Sequence, residues 1–142
     1  MHRPTMLKLL AATLALAAAG PAAQAAEFYF RTPSDNIYCG FNTFSGQGEV
    51  RCDIKSYTPT LGQPPGDCDL DWGDSFSIGA RDKRGSVVCH GDTIISPGAK
   101  VISYGTSWSR RGITCAVEET GVTCTNRKGH GFFVSRREQN VF

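Results

Sequence analysis

The residues whose types and spacing could do chemistry are two histidines and a run of aspartates. His90 stands in Cys89-His90-Gly91-Asp92-Thr93, and His130 stands between Gly129 and Gly131. An imidazole moves protons at neutral pH, and a carboxylate such as Asp92 could orient it. Hydrolysis also needs a nucleophile or a held water, yet no serine lies in a G-x-S-x-G elbow and no H-E-x-x-H occurs. No catalytic residue is therefore assigned. Both histidines are expected to be structural, with His130 fixing a tight turn whose flanking glycines allow unusual backbone conformations.

Asp67, Asp69, Asp71 and Asp74 gather four carboxylates. In a strand the first three project from one face, with Cys68, Leu70 and Trp72 on the other. Hard cations take such oxygens, but Trp72 and Ile78 stand where a helix–loop–helix calcium loop needs a glycine and an acid. The expectation is a solvated acidic strand face with no metal or cofactor; calcium-dependent binding is the alternative. Trp108 and Arg110 share a polar, basic stretch, Tyr104 to Arg111. An aromatic beside arginine can anchor a partner, but the expected role for Trp108 is a lid on the core. Arg136-Arg137 and Arg127-Lys128 are basic pairs suited to phosphates or anionic polymers.

These residues must be positioned by strands. Beyond residue 25 there are 2 Leu, 4 Ala and no Met against 8 Val, 7 Ile and 10 Thr. Helix formers are scarce and β-branched residues abound, which predicts an all-β chain. With 15 Gly and 5 Pro over the same stretch, turns recur as in one small antiparallel sandwich or barrel built from hairpins.

Alternation defines the hairpins. Ile37, Cys39 and Phe41 return as Val50, Cys52 and Ile54 across Ser45-Gly46-Gln47-Gly48, while Ile113, Cys115 and Val117 return as Val122 and Cys124 across a turn in which Gly121 can take positive φ. The two units make a weak internal repeat, attributed first to shared hairpin geometry. A middle unit runs from Phe76 and Ile78 through the charged turn Arg81–Gly85 to Val87 and Cys89. Six cysteines allow fifteen pairings, but facing residues on antiparallel strands lie within disulfide reach, which favours Cys39 with Cys52 and Cys115 with Cys124. Cys68 is left for Cys89. Each bridge contributes up to ~3 kcal/mol, so three rival a domain's ~5 to 15 kcal/mol. Redox or zinc roles would want short C-x-x-C spacings, which are absent.

The N-terminus reads as an export signal. Arg3 and Lys8 precede an apolar run from Leu9 to Ala19, then Gly20-Pro21 and an A-x-A site at Ala23-Gln24-Ala25. That run is shorter than the ~20 residues that span a bilayer, so no membrane span is expected after cleavage. The expected organisation is a signal peptide over 1–25 and one disulfide-rich domain over 26–142, secreted or periplasmic. Without the leader the chain holds 13 Lys+Arg and 13 Asp+Glu. Residues 26–74 balance at −5 and residues 75–142 at +5. Such a neutral chain argues against nucleic acid as partner.

The order of motifs carries a resemblance. Phe30-x-x-Pro33-Ser34 with Asn36-Ile37, Arg51-Cys52-Asp53-Ile54, Cys68-x-Leu70-Asp71-Trp72-Gly73, Cys89-x-Gly91-Asp92-Thr93, Tyr104-Gly105, Gly121-x-x-Cys124-x-Asn126, Gly129-His130-Gly131-Phe132 and Ser135-Arg136 resemble a family of small secreted bacterial proteins filed as a domain of unknown function. The resemblance implies a stapled, exported bacterial domain and brings no activity with it. The functional expectation is a non-enzymatic binding module for a cell-envelope polymer or a protein partner, as an inhibitor would be. The alternative is a small hydrolase using His90 or His130.

Overall fold

The computed structural model describes residues 28–142, together with Ala15 and Ala17. The signal peptide assigned to residues 1–25 and the first residues of the domain lie outside the described residues. The fold is all-β, with two sheets and three disulfides. Among the described residues no helix is long and apolar enough to cross a membrane.

The first sheet is a meander of β1 (Phe28–Arg31), β2 (Ile37–Phe44), β3 (Gln47–Ile54), β4 (Ser75–Gly79) and β5 (Ser86–Val87). The second is a meander of β7 (Thr106–Arg110), β8 (Ile113–Glu118), β9 (Gly121–Asn126), β10 (Gly131–Val134) and β11 (Gln139–Val141). Between them, β6 (Lys100–Val101) adds to the free edge of β1 in parallel, a pairing that hairpin signals do not forecast.

In each sheet one apolar row of core-facing residues crosses all five strands of the meander. In the first the register runs Phe30, Cys39, Cys52, Phe76, Val87; in the second it runs Trp108, Cys115, Cys124, Phe132, Val141. The repeat is therefore of a five-stranded meander, not of a hairpin. Equivalent residues also meet across the core, with ring centroids 5.4 Å apart for Phe30 and Trp108 and 6.0 Å for Phe76 and Phe132. Offset or edge-on aromatic pairs at such distances add to the stabilisation from area buried.

The cysteines pair as expected: Cys39–Cys52, Cys115–Cys124 and Cys68–Cys89. The first two bridge facing strand residues with Cα atoms 4.0 and 4.1 Å apart, the close approach of a non-hydrogen-bonded antiparallel pair. The third departs from the apolar-face expectation. Cys68 and Cys89 lie outside the strands, half-buried and exposed, because β5 ends at Val87 and the Asp67–Trp72 stretch forms no strand.

Glycine permits two close approaches. A Cβ on Gly85 would lie 1.9 Å from the Gly131 oxygen; without one, the Gly85 N–H donates to the Phe142 oxygen at 2.9 Å and closes the seam between β5 and β11. Gly121 has φ 145° as expected, and a Cβ there would meet the Val134 oxygen at 2.5 Å. The segment Gln139–Phe142 docks: β11 pairs with β10, and Gln139 is buried and bonded to Thr60 and Ser135.

Mild reductant under native conditions should open Cys68–Cys89 alone, since the four other cysteines are at most 1% exposed. Alkylation and peptide mass spectrometry read this, and label on Cys115 before loss of structure would contradict it. Replacing Cys115 and Cys124 by alanine should cost about 2 to 3 kcal/mol in denaturant unfolding.

Candidate functional site

The outward face of the first sheet carries a buried carboxylate. Alternation turns Cys52 and Ile54 into the core and Arg51 and Asp53 outward, yet Asp53 is 3% exposed. Residues 88–99 cover it, strapped from β5 at one edge of the sheet to β6 at the other. Asp53 Oδ1 accepts from Arg51 Nε at 2.9 Å and Ser75 Oγ at 2.6 Å; Oδ2 accepts from Arg51 Nη2 at 3.2 Å, Thr93 Oγ1 at 3.1 Å and the Ile94 N–H at 3.0 Å. A buried carboxylate is tolerated when its lone pairs are met this fully.

His90 and Asp92 belong to the same clasp. His90 is 7% exposed; its Nε2 donates to Asp74 Oδ1 at 2.8 Å and its Nδ1 donates to the Asp92 carbonyl oxygen. Two acceptors call for the imidazolium. Burial works against that charge, but the hydrogen bonds to Asp74 and Asp92 outweigh it and raise the His90 pKa. The Asp92 carboxylate, hydrogen-bonded by Arg51 at 3.0 Å, is held below the ordinary carboxylate range. Neither ring nitrogen of His90 is left for proton transfer to a ligand.

The acidic run is dispersed. Asp71 makes an isolated bridge with His90 through both backbone bonds, Asp74 goes to the imidazole, and Leu70, expected opposite the carboxylates on a strand, is 61% exposed. The strand reading of Asp67, Asp69 and Asp71 fails because this loop is fixed by the Cys68–Cys89 bridge and by Asp71–His90, not by a ladder. Among the described residues no three His, Cys, Asp or Glu side chains converge on a point that could hold a metal. His130 lies in the β9–β10 turn, where the Asn126 side chain organises the chain: its Oδ1 accepts from the N–H groups of Lys128 and His130, and its Nδ2 donates to the oxygens of Gly79 and Asp82.

Trp108 is a lid on the core edge. It packs edge-on against Phe28, Phe30 and Phe41, with centroids 5.1 to 5.5 Å away, and its buried Nε1 has no hydrogen-bond acceptor among the described residues. The Arg110 guanidinium lies 5.4 Å from the Phe28 ring centroid. Both residues border the seam between β1–β6 and β7, opposite the closed one.

A cleft of about 530 Å³ opens at one end of the sandwich. Three turns frame it: β1–β2 with Ser34 and Asn36, β8–β9 with Glu118 and Glu119, and β10–β11 with Arg136 and Arg137. Asn36 locks its turn by exchanging two hydrogen bonds with the backbone of Ser56, both 2.9 Å, and Arg136 Nη1 donates to Ser56 Oγ at 3.0 Å. Of the residues proposed from sequence, only the Arg136-Arg137 pair lines this cleft. The glutamates were visible as turn residues and Arg137 as half of a basic pair, but nothing in the sequence brings these turns together.

The site and fold define a disulfide-stapled β-sandwich with a charged end cleft and a polar clasp on one sheet. The chain belongs to a family of unknown function (DUF6636), whose model matches residues 8–142. No curated protein and no solved structure matches the chain at a significant level.

Asp53→Ala should cost about 3 kcal/mol, because it leaves Arg51 Nε, Ser75 Oγ, Thr93 Oγ1 and the Ile94 N–H without their shared acceptor beneath the strap; urea denaturation tests this. Folding raises the His90 pKa, so the stability it confers is complete below the ordinary value of 6.5 and is lost as pH rises through the folded-state value. Tm should therefore fall across the neutral range, and His90→Gln should remove that part of the slope. An unchanged slope in the variant would assign the effect elsewhere.

Proposed function

We propose that the chain is an exported, non-enzymatic binding domain that takes a segment of cell-envelope polymer or of a protein partner into the end cleft. One observation carries this reading. Arg31, Asp35, Arg51, Asp53, Lys55 and Asp92 all make ion pairs within the fold, whereas Glu118, Glu119, Arg136, Arg137 and Glu138 make none among the described residues. Charges set on turns around a concavity and left without an opposite charge within the fold suit an external ligand. Three disulfides fit an oxidising extracellular environment, and the leader-like residues 1–25 support export. Both ring nitrogens of His90 are engaged, which favours binding over hydrolysis at that residue.

Thermal melts of the oxidised chain against peptidoglycan fragments, acidic glycans and lysozyme test the reading. A ligand at 100 times its Kd adds about 2.7 kcal/mol. The double variants Glu118→Ala with Glu119→Ala, and Arg136→Ala with Arg137→Ala, should fold normally and lose the shift. A shift that survives in both would move the ligand away from the cleft.

A further inference from the structure

We infer that the cleft takes a short peptide-like zwitterion, with its free carboxylate at Arg136 and Arg137 and its free amine at Glu118 and Glu119; this rests on the cleft being the binding site. The two signs of charge stand on different turns. β8, β9, β10 and β11 are consecutive antiparallel neighbours, so the β8–β9 and β10–β11 turns project from the same end of one sheet. Their centres lie two strand spacings apart, roughly 10 Å. An extended tripeptide spans roughly 10 Å as well.

The chemistry at each end matches. Guanidinium groups take a carboxylate through paired N–H donors, and the hydrogen bond to Ser56 holds Arg136 in place beforehand. The β10–β11 turn is itself rigid: the Ser135 hydroxyl donates to the Glu138 oxygen and accepts from the Glu138 N–H, both at 3.0 Å. Glu138 shares this turn, so a ligand bearing only negative charge meets repulsion from three carboxylates, and one bearing only positive charge meets two guanidinium groups. A dipolar ligand escapes both penalties. In the same cleft, Tyr104 and Phe133 offer apolar wall for side chains, and Ser34 and Thr120 offer hydroxyls for backbone amides.

The test is an amide NMR titration of the oxidised chain with Ala-Ala-Ala, with its N-acetylated form, with its C-terminal amide, and with a neutral tetramer of N-acetylglucosamine. The free tripeptide should move the amides of residues 118–121 and 135–138, and each blocked form should bind at least tenfold more weakly. Arg137→Ala should weaken the free peptide and leave the amidated one unchanged; Glu119→Ala should weaken the free peptide and leave the acetylated one unchanged. Equal binding of all three peptides, or no movement of these amides by any, overturns the inference. If the saccharide moves them and the peptides do not, the ligand class falls while the cleft stands as a binding site; if neither does, both fall.

Discussion

Two transverse rows, each an aromatic residue, two bridged cysteines, a phenylalanine and a valine, meet face to face, and the remainder of the molecule is arranged around that contact. The rows set the register of each sheet, because a slip of one residue would turn both cysteines and both aromatics out of the core. They also bring Phe30 against Trp108 and Phe76 against Phe132, so the sheets pack through equivalent positions. A chain with 2 leucines beyond residue 25 builds its core from isoleucine and valine, with aromatic rings and disulfide sulfur beside them.

The two halves share a plan but not a setting. The first sheet is covered on its outer face by the strap, and Asp53 is where strap and sheet are joined. Every acceptor position on that carboxylate is used, which makes the clasp a fixed framework, whereas the cleft at the end of the sandwich gathers charges of both signs that make no ion pair among the described residues. In this reading His90, Asp74 and Asp92 are absorbed by architecture, and binding falls to residues that look like ordinary turn constituents.

Much of the fold was legible from local pattern. The hairpins Ile37–Ile54 and Ile113–Cys124, their disulfides and the positive φ of Gly121 follow from alternation and turn chemistry, which depend on near neighbours. What escaped were the features set by distant pairing: the parallel addition of β6 to β1, the burial of Asp53 on a face that alternation marks as solvent-facing, and the irregular loop of Asp67–Trp72. In each case a tertiary contact replaces the local rule. The candidate cleft was less legible still, since Glu118, Glu119, Arg136 and Arg137 meet only once the second meander is formed.

The meander plan bears on the order of folding. Cys115 and Cys124 are separated by 9 residues and Cys39 and Cys52 by 13, so both pairs belong to hairpins of low contact order that form early. The hydrogen bond between Gly85 and Phe142, which closes the seam, joins residues far apart in the chain. Closure is therefore a late event, and until it occurs β5 and β11 are open sheet edges, the species most exposed to pairing with another copy of the chain.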